Sequence, residues 1–314
     1  MEQSVIRVGV IGIGHLGRHH ARILHELPGA KLVGVVDTNE KIAQETGEKY
    51  QVPWYTDYRK LEDQVDAISI VVPTTVHYEV AKFFLDRGVH SFVEKPITKT
   101  LAEANDLLLI SNRKQLTLQV GHVERFNAAI LKLQSLTEKP RFIECQRMGP
   151  FPKRAADVSV VLDLMIHDID IVLSLVKSKI ERIDAVGIPV LTENEDIANA
   201  HIVFANGCIA NLTASRVSEE VIRKLRIFEM DKYLSLDYAN QAITLRRKMD
   251  QEQIATEELE VHKAEPLRLE LAHFIQCVQE RRKPLVSIED GKNALEVALE
   301  ILSKIKAASS RPGS

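Results

Sequence analysis

The sequence predicts an α/β fold: an N-terminal doubly wound parallel sheet, then a C-terminal α+β domain with a largely antiparallel open sheet. Three observations carry that expectation. The first 120 or so residues alternate short apolar runs with amphipathic stretches, the pattern of strand and helix in a parallel sheet. A glycine-rich turn, Gly12 to Gly17, joins the first apolar run to the first amphipathic one. After about residue 122 the rhythm changes to alternating runs punctuated by hairpin signals, above all Asn206-Gly207.

The predicted strands of the first part are 5–11, 31–36, 67–72, 91–93 and 116–120, several of them apolar at nearly every position. Strands covered on both faces read that way. Between them lie predicted helices near 15–27, 39–50, 76–87 and 100–112. The last opens on Thr100-Leu101-Ala102-Glu103, which has capping-box spacing. In the second part, 198–217 alternates on both sides of Asn206-Gly207. Ala198, Ala200, Ile202 and Phe204 share one face, as do Cys208, Ala210, Leu212 and Ala214. Further strands are expected at 221–229, 233–238 and 242–247, with helices near 124–136, 160–176 and 266–281. Pro284 interrupts the chain before a last amphipathic helix, roughly 289–307. The expected division is a nucleotide-binding domain over 1–122 and a substrate-binding and oligomerisation domain over 123–288.

Composition narrows the function classes. The 314 residues suggest about two domains of ordinary size. With 41 basic and 44 acidic side chains there is no electrostatic footprint for nucleic acid or an anionic membrane. No apolar run approaches the roughly 18 residues that cross a bilayer. The polar start Met1-Glu2-Gln3-Ser4 runs straight into a strand, which predicts no signal peptide and a cytoplasmic protein. Cys145, Cys208 and Cys277 are few, odd in number and far apart, so they are expected to be reduced thiols without disulfide or zinc spacing.

Three clusters carry chemistry. Gly12-Ile13-Gly14-His15-Leu16-Gly17 is a G-x-G-x-x-G at a strand-to-helix junction. Gly12 permits the tight turn, Gly14 lets backbone approach a pyrophosphate, and Gly17 lets helix pack on strand. The helix start at His15 and Leu16 offers free N–H groups and a partial positive charge. The next strand ends in Asp37, at the spacing that sets a carboxylate on the adenosine ribose. That carboxylate accepts from the 2′-hydroxyl and repels a 2′-phosphate, and Thr38 follows without an arginine. NAD is therefore expected over NADP. His15, Arg18, His19 and His20 read as helix-face residues, not metal ligands, and no metal is expected.

The second cluster, Glu94-Lys95-Pro96, stands at the C-terminal end of a strand, where open α/β sheets bind ligands. A lysine beside a cofactor can be desolvated toward acid–base use. The third is Asp163 and His167, spaced i,i+4 on a helix among apolar neighbours. A carboxylate there can fix an imidazole's tautomer; a structural Asp–His bond inside a core is the equal alternative.

Together these clusters resemble the glucose–fructose oxidoreductase, inositol dehydrogenase and rhizopine catabolism (Gfo/Idh/MocA) family of oxidoreductases, over essentially the whole chain. The resemblance implies a Rossmann domain binding NAD. Lys95 and His167 would be the catalytic acid–base pair, and Asp163 would bind substrate or orient His167. Pro73 and His77 match the family's Pro-Asn-x-x-His loop near the cofactor, with Thr74 replacing the Asn. The family's last helix packs back on the first domain, which would place 289–307 there. Its members dimerise or tetramerise through the open face of the second sheet, and the apolar face at 198–214 suits such a contact.

A narrower resemblance, on Gly121-His122-Val123-Glu124-Arg125-Phe126-Asn127 and Gly149-Pro150-Phe151-Pro152-Lys153-Arg154, is to the branch acting on UDP-N-acetylglucosamine at its 3-hydroxyl. Arg125, Asn127, Lys153 and Arg154 would then bind substrate, the cations facing its diphosphate. The alternatives are a dehydrogenase of inositol or a free hexose, and a non-catalytic NAD-binding regulator.

Overall fold

The computed structural model describes residues 4–151, 158–249 and 253–309, and the chain divides into two compact units. The first comprises 1–123 and 265–292, the second 124–264 and 293–314.

In the first unit, β1 (Ile6–Ile11), β2 (Ala30–Val36), β3 (Trp54–Tyr55), β4 (Ala67–Ile70), β5 (His90–Glu94) and β6 (Leu118–Gly121) form one sheet. Its order is β3-β2-β1-β4-β5-β6, and every pairing is parallel. The order reverses beside β1, so a crevice opens at the strands' C-terminal ends, where β1 and β4 part. The intervening helices are α1 (His15–Glu26), α2 (Glu40–Tyr50), α3 (His77–Leu85) and α4 (Leu101–Lys114). The expected capping box is formed: Glu103 N–H donates to Thr100 Oγ1, and Thr100 N–H donates to Glu103. Asn39 caps α2 by accepting from Ile42 N–H.

The second unit holds α5 (Ala128–Leu136), β7 (Phe142–Met148), α6 (Ile166–Val176) and β8 (Ile180–Ile188), then β9 (Ile197–Phe204) and β10 (Ile209–Ser215). It continues with β11 (Ile222–Phe228), β12 (Lys232–Asp237), β13 (Ala242–Lys248) and β14 (Ile254–Leu259). These strands form a sheet of order β14-β13-β12-β11-β7-β10-β9-β8, antiparallel except where β10 runs parallel to β7. The β9–β10 hairpin turns at Gly207, whose φ of 82° favours glycine. Asn206 holds that turn by accepting from Cys208 N–H.

Two expectations are corrected here. The apolar face of 198–214 is not left open for a second copy. Ala198, Ala200, Ile202, Phe204, Cys208, Ala210, Leu212 and Ala214 are all buried in the unit's own core with Ile130, Ile169 and Val172. The opposite face carries Asn199 bonded to Thr213 and His201 bonded to Asn211, with Ile197, Val203 and Ile209 beside them, a mixed surface. The last two helices also exchange their expected places. α7 (Pro266–Glu280) packs Leu271, Phe274, Ile275 and Val278 into the first unit's core. α8 (Ile288–Ser309) begins in the first unit, but its buried face of Ala294, Val297, Ala298, Ile301 and Ile305 completes the second core. Each helix presents an apolar stripe, and the stripe is burial-ready for either sheet.

Candidate functional site

The glycine turn has the geometry its residues require. Gly12 sits at φ 88°, and a Cβ there would meet Val71 O at 2.3 Å. A Cβ on Gly17 would lie 1.8 Å from Gly12 O, so helix and turn touch backbone to backbone. At Gly14 a Cβ would meet nothing within 4 Å: the loop faces open space there. Gly14 caps α1 without a side-chain bond, and the first turn carries no acidic residue. The leading N–H groups of α1 thus point out with a partial positive charge, the arrangement a phosphate takes. His15 and Leu16 are exposed beside them.

Asp37 ends β2 within reach of that turn. Its Oδ2 accepts from Ile13 N–H at 2.7 Å and its Oδ1 from Asn39 N–H at 2.8 Å. An ionised carboxylate has about four acceptor positions, so these bonds fix its direction and leave room for ribose hydroxyls. The residues present therefore fit a dinucleotide: an uncapped helix start, a bare Gly14 and an aimed carboxylate.

Glu94, Lys95 and Pro96 follow at the end of β5. Lys95 is half-buried, and Glu94 is buried with its carboxylate lying over Gly121 of β6. Glu94 Oε2 accepts from Lys95 N–H at 3.3 Å, and Oε1 stands 3.3 Å from His20 Nε2. Pro73 is exposed and Thr74 half-buried at the turn into α3. His77, 1% exposed, places Nδ1 2.9 Å from Pro96 O and Nε2 2.9 Å from Val72 O. Burial lowers the His77 pKa below the ordinary histidine value, although those carbonyls and the Glu94 charge oppose the shift.

In the second unit, Asp163 lies in a π-helical turn, Val161–Met165, that runs into α6, and His167 is the second residue of α6. Both are half-buried. A π turn adds a residue per turn and is found frequently at functional sites; the i,i+4 pair was readable in the sequence, the bulge was not. α6 is anchored by its next residue. Asp168 takes a two-pronged pair from Arg147 of β7, at 3.0 and 2.9 Å, while Arg147 Nη1 donates to Glu124 at 2.8 Å. Burial pushes the Arg147 guanidinium down, but the charges of Asp168 and Glu124 outweigh it and hold the group protonated. Tyr238 O–H adds a 3.4 Å bond to Asp168.

Arg125 and Asn127 are both buried in the second unit. Arg125 is 6% exposed and its Nη1 donates to Asp170 at 3.3 Å. Asn127, 3% exposed, caps α5 by accepting from Ala129 N–H and donates to Tyr238 O. Both residues thus take partners within the second unit, Asp170 for Arg125 and Tyr238 for Asn127. Lys153 and Arg154 lie outside the described residues.

Sequence reasoning missed several residues of this framework. His20 was set aside as a helix-face residue. It lies on the buried stripe of α1, Gly17-His20-Ala21-Leu24, at i, i+3, i+4, i+7 spacing. A histidine on an apolar stripe was the signal. Arg216 was also missed: its buried guanidinium donates to Asp196, Thr192 and Val158 O, tying β10 to the β8–β9 loop and to the chain entering the π turn. Burial pushes the Asp196 carboxyl up, yet the Leu191 N–H, Arg216 and Thr192 bring it well below the usual range. Among the described residues no three His, Cys, Asp or Glu side chains gather as a metal site, and no helix is long and apolar enough to cross a membrane.

Comparison with known proteins bears on the whole chain. Residues 6–122 match the family model described as an oxidoreductase family with an NAD-binding Rossmann fold. Residues 130–228 match the GFO/IDH/MocA C-terminal domain. The sequence is 34% identical to the UDP-N-acetylglucosamine 3-dehydrogenase of Acidithiobacillus ferrooxidans, over 96% of this chain and 98% of that one. The solved structure of that enzyme superposes with a TM-score of 0.92. The scyllo-inositol 2-dehydrogenase (NAD+) of Bacillus subtilis is 30% identical, over 95% of this chain and 93% of its own.

Proposed function

Because the chain belongs to the Gfo/Idh/MocA family of NAD-binding oxidoreductases, we propose that it oxidises the 3-hydroxyl of UDP-N-acetylglucosamine to a 3-keto sugar. The observation that carries the substrate is the end-to-end likeness to the Acidithiobacillus enzyme. The nicotinamide of a bound NAD supplies the hydride chemistry. The chain's own residues do the rest. The N–H groups opening α1 take the pyrophosphate and Asp37 takes the ribose hydroxyls. One of Lys95 and His167 removes the hydroxyl proton while the other holds the developing oxyanion. Asp163 orients His167 or binds the sugar. Arg125, Lys153 and Arg154 are the cations assigned to the diphosphate, with Asn127 beside them. Following the family resemblance, the reading includes a cytoplasmic homodimer or homotetramer; light scattering that returned only monomer would remove the oligomer.

The likeness to the inositol enzyme supports a second reading, a dehydrogenase of a cyclic polyol. The test has two arms. NAD reduction is followed with UDP-N-acetylglucosamine beside myo-inositol and glucose, and Lys95→Ala is compared with the unaltered protein. The variant is expected to lose most turnover while still binding NAD. Near-normal turnover in Lys95→Ala removes Lys95 from the mechanism.

A further inference from the structure

Two buried histidines flank the Glu94–Pro96 segment, and nothing in hydride transfer itself calls for them. From one side comes His20 of α1, 0% exposed, with Nδ1 2.8 Å from Ser69 Oγ on β4 and Nε2 3.3 Å from Glu94 Oε1. From the other comes His77 of α3, whose ring bridges the carbonyls of Val72 and Pro96. Burying an imidazole is costly where an aliphatic side chain would fill the same space. A buried polar group packed against polar neighbours, here Ser69 and Glu94 for His20 and two carbonyls for His77, favours one geometry among several.

We propose that His20 and His77 are positioning residues, a two-sided clamp that sets the backbone around Lys95 and so aims its ammonium group. This rests on the reading of Lys95 as a proton-handling residue. A lysine side chain has a flexible four-carbon stem, so its reach is defined by where its own backbone stands. That backbone is held at Lys95 N–H by the Glu94 carboxylate, which His20 meets from α1. It is flanked again at Pro96 O by His77 Nδ1, 2.9 Å away. A neutral imidazole has one N–H, so His77 donates to Pro96 O or to Val72 O, and its ring lies between the lysine segment and the loop after β4. Gly121 completes the device. A Cβ there would press within 2.8 Å of the Glu94 carboxylate, so the glycine leaves Glu94 its place. His20 lies three residues after Gly17, so the helix start that receives the pyrophosphate and the lysine segment share one connected frame.

The test uses the full-length protein with His20→Phe and His77→Phe, which keep a ring and remove its nitrogens, and His77→Gln, which restores one N–H. Three quantities are read: kcat and KM, the NADH dissociation constant, and competitive acylation of Lys95 by mass spectrometry. Each Phe variant is expected to lose roughly ten- to a hundred-fold in kcat, the scale set by an ångström of misplacement. In His20→Phe cofactor affinity stays within a few-fold; Lys95 acylation changes rate in both, and His77→Gln regains part of the kcat. Wild-type kcat and Lys95 acylation in the folded Phe variants overturn the clamp. If either Phe variant fails to fold, His77→Gln and Gly121→Ala carry the test, and unchanged kcat and acylation in both overturn it equally. Lys95→Ala separates the two ideas. An active Lys95→Ala refutes the reading of Lys95 itself. An inactive Lys95→Ala beside fully active histidine variants refutes only the clamp.

Discussion

Replacing Arg147 by Met should cost the second unit about 3–5 kcal/mol, the penalty for breaking a buried ion pair from one side. The magnitude follows from the surroundings. Arg147, Asp168 and Glu124 have side chains 5%, 3% and 14% exposed, so water cannot replace the lost guanidinium. Two carboxylates lose their shared cation at once, and among the described residues the long Tyr238 bond to Asp168 is what remains. For a unit of this size each kcal/mol is worth about 2–4 °C, so melting should fall by roughly 10–15 °C in calorimetry. The double variant Arg147→Met/Asp168→Asn should recover part of that loss, with an interaction energy of about 1 kcal/mol or more. Asp168 is the neighbour of His167, so turnover should fall in the single variant even below its melting range. A single variant as stable as the parent, or a double variant whose loss is the plain sum, would refute the account of what holds α6.

Three further outcomes are expected. Asp37→Ala should weaken NAD binding by roughly ten- to a hundred-fold, as charged hydrogen bonds worth about 1.5–3 kcal/mol are lost, and narrow the preference over NADP; equal titration curves in the two proteins would sink Asp37 as the selector. Gly17→Ala should abolish cofactor binding or destabilise the fold, because its Cβ meets backbone oxygen at 1.8 Å; ordinary NADH affinity and melting would contradict the close approach. Burial pushes the Cys208 thiol up to about 11, so iodoacetamide should barely alkylate it until the pH climbs toward that value. Since the folded pKa is the higher, its stabilising contribution is complete below the unfolded value of about 8.5 and fades as pH rises through the folded one.

Much of this molecule was legible in its residues, for local reasons. The first sheet's strands are apolar runs, the hairpin at Asn206-Gly207 announces itself, and the phosphate loop needs glycines at fixed positions. Long-range partners were hidden. Arg125 and Asn127 suggested cation and amide for a ligand, but their partners Asp170 and Tyr238 lie 45 and 111 positions away. β7 went unread because Arg147 and Cys145 occupy its buried face, where alternation would call for aliphatics. β14 went unread because nearly all its residues are exposed. Periodicity showed that 266–281 and 289–307 each bury a stripe; which core receives it depends on the path of the whole chain. The candidate site followed the same division. The glycines and Asp37 were proposed from spacing and Lys95 from its place at a strand end and the family resemblance, whereas His20 and Arg147 are defined by what they touch.

The most direct test of the central claim is NADH formation by the purified protein given NAD and UDP-N-acetylglucosamine, with myo-inositol, scyllo-inositol and glucose in parallel. The account predicts turnover with the nucleotide sugar far above the three others, and a 3-keto product by mass spectrometry. Faster reduction with an inositol would contradict the substrate assignment, and no reduction on any of them would contradict the reading as a sugar dehydrogenase.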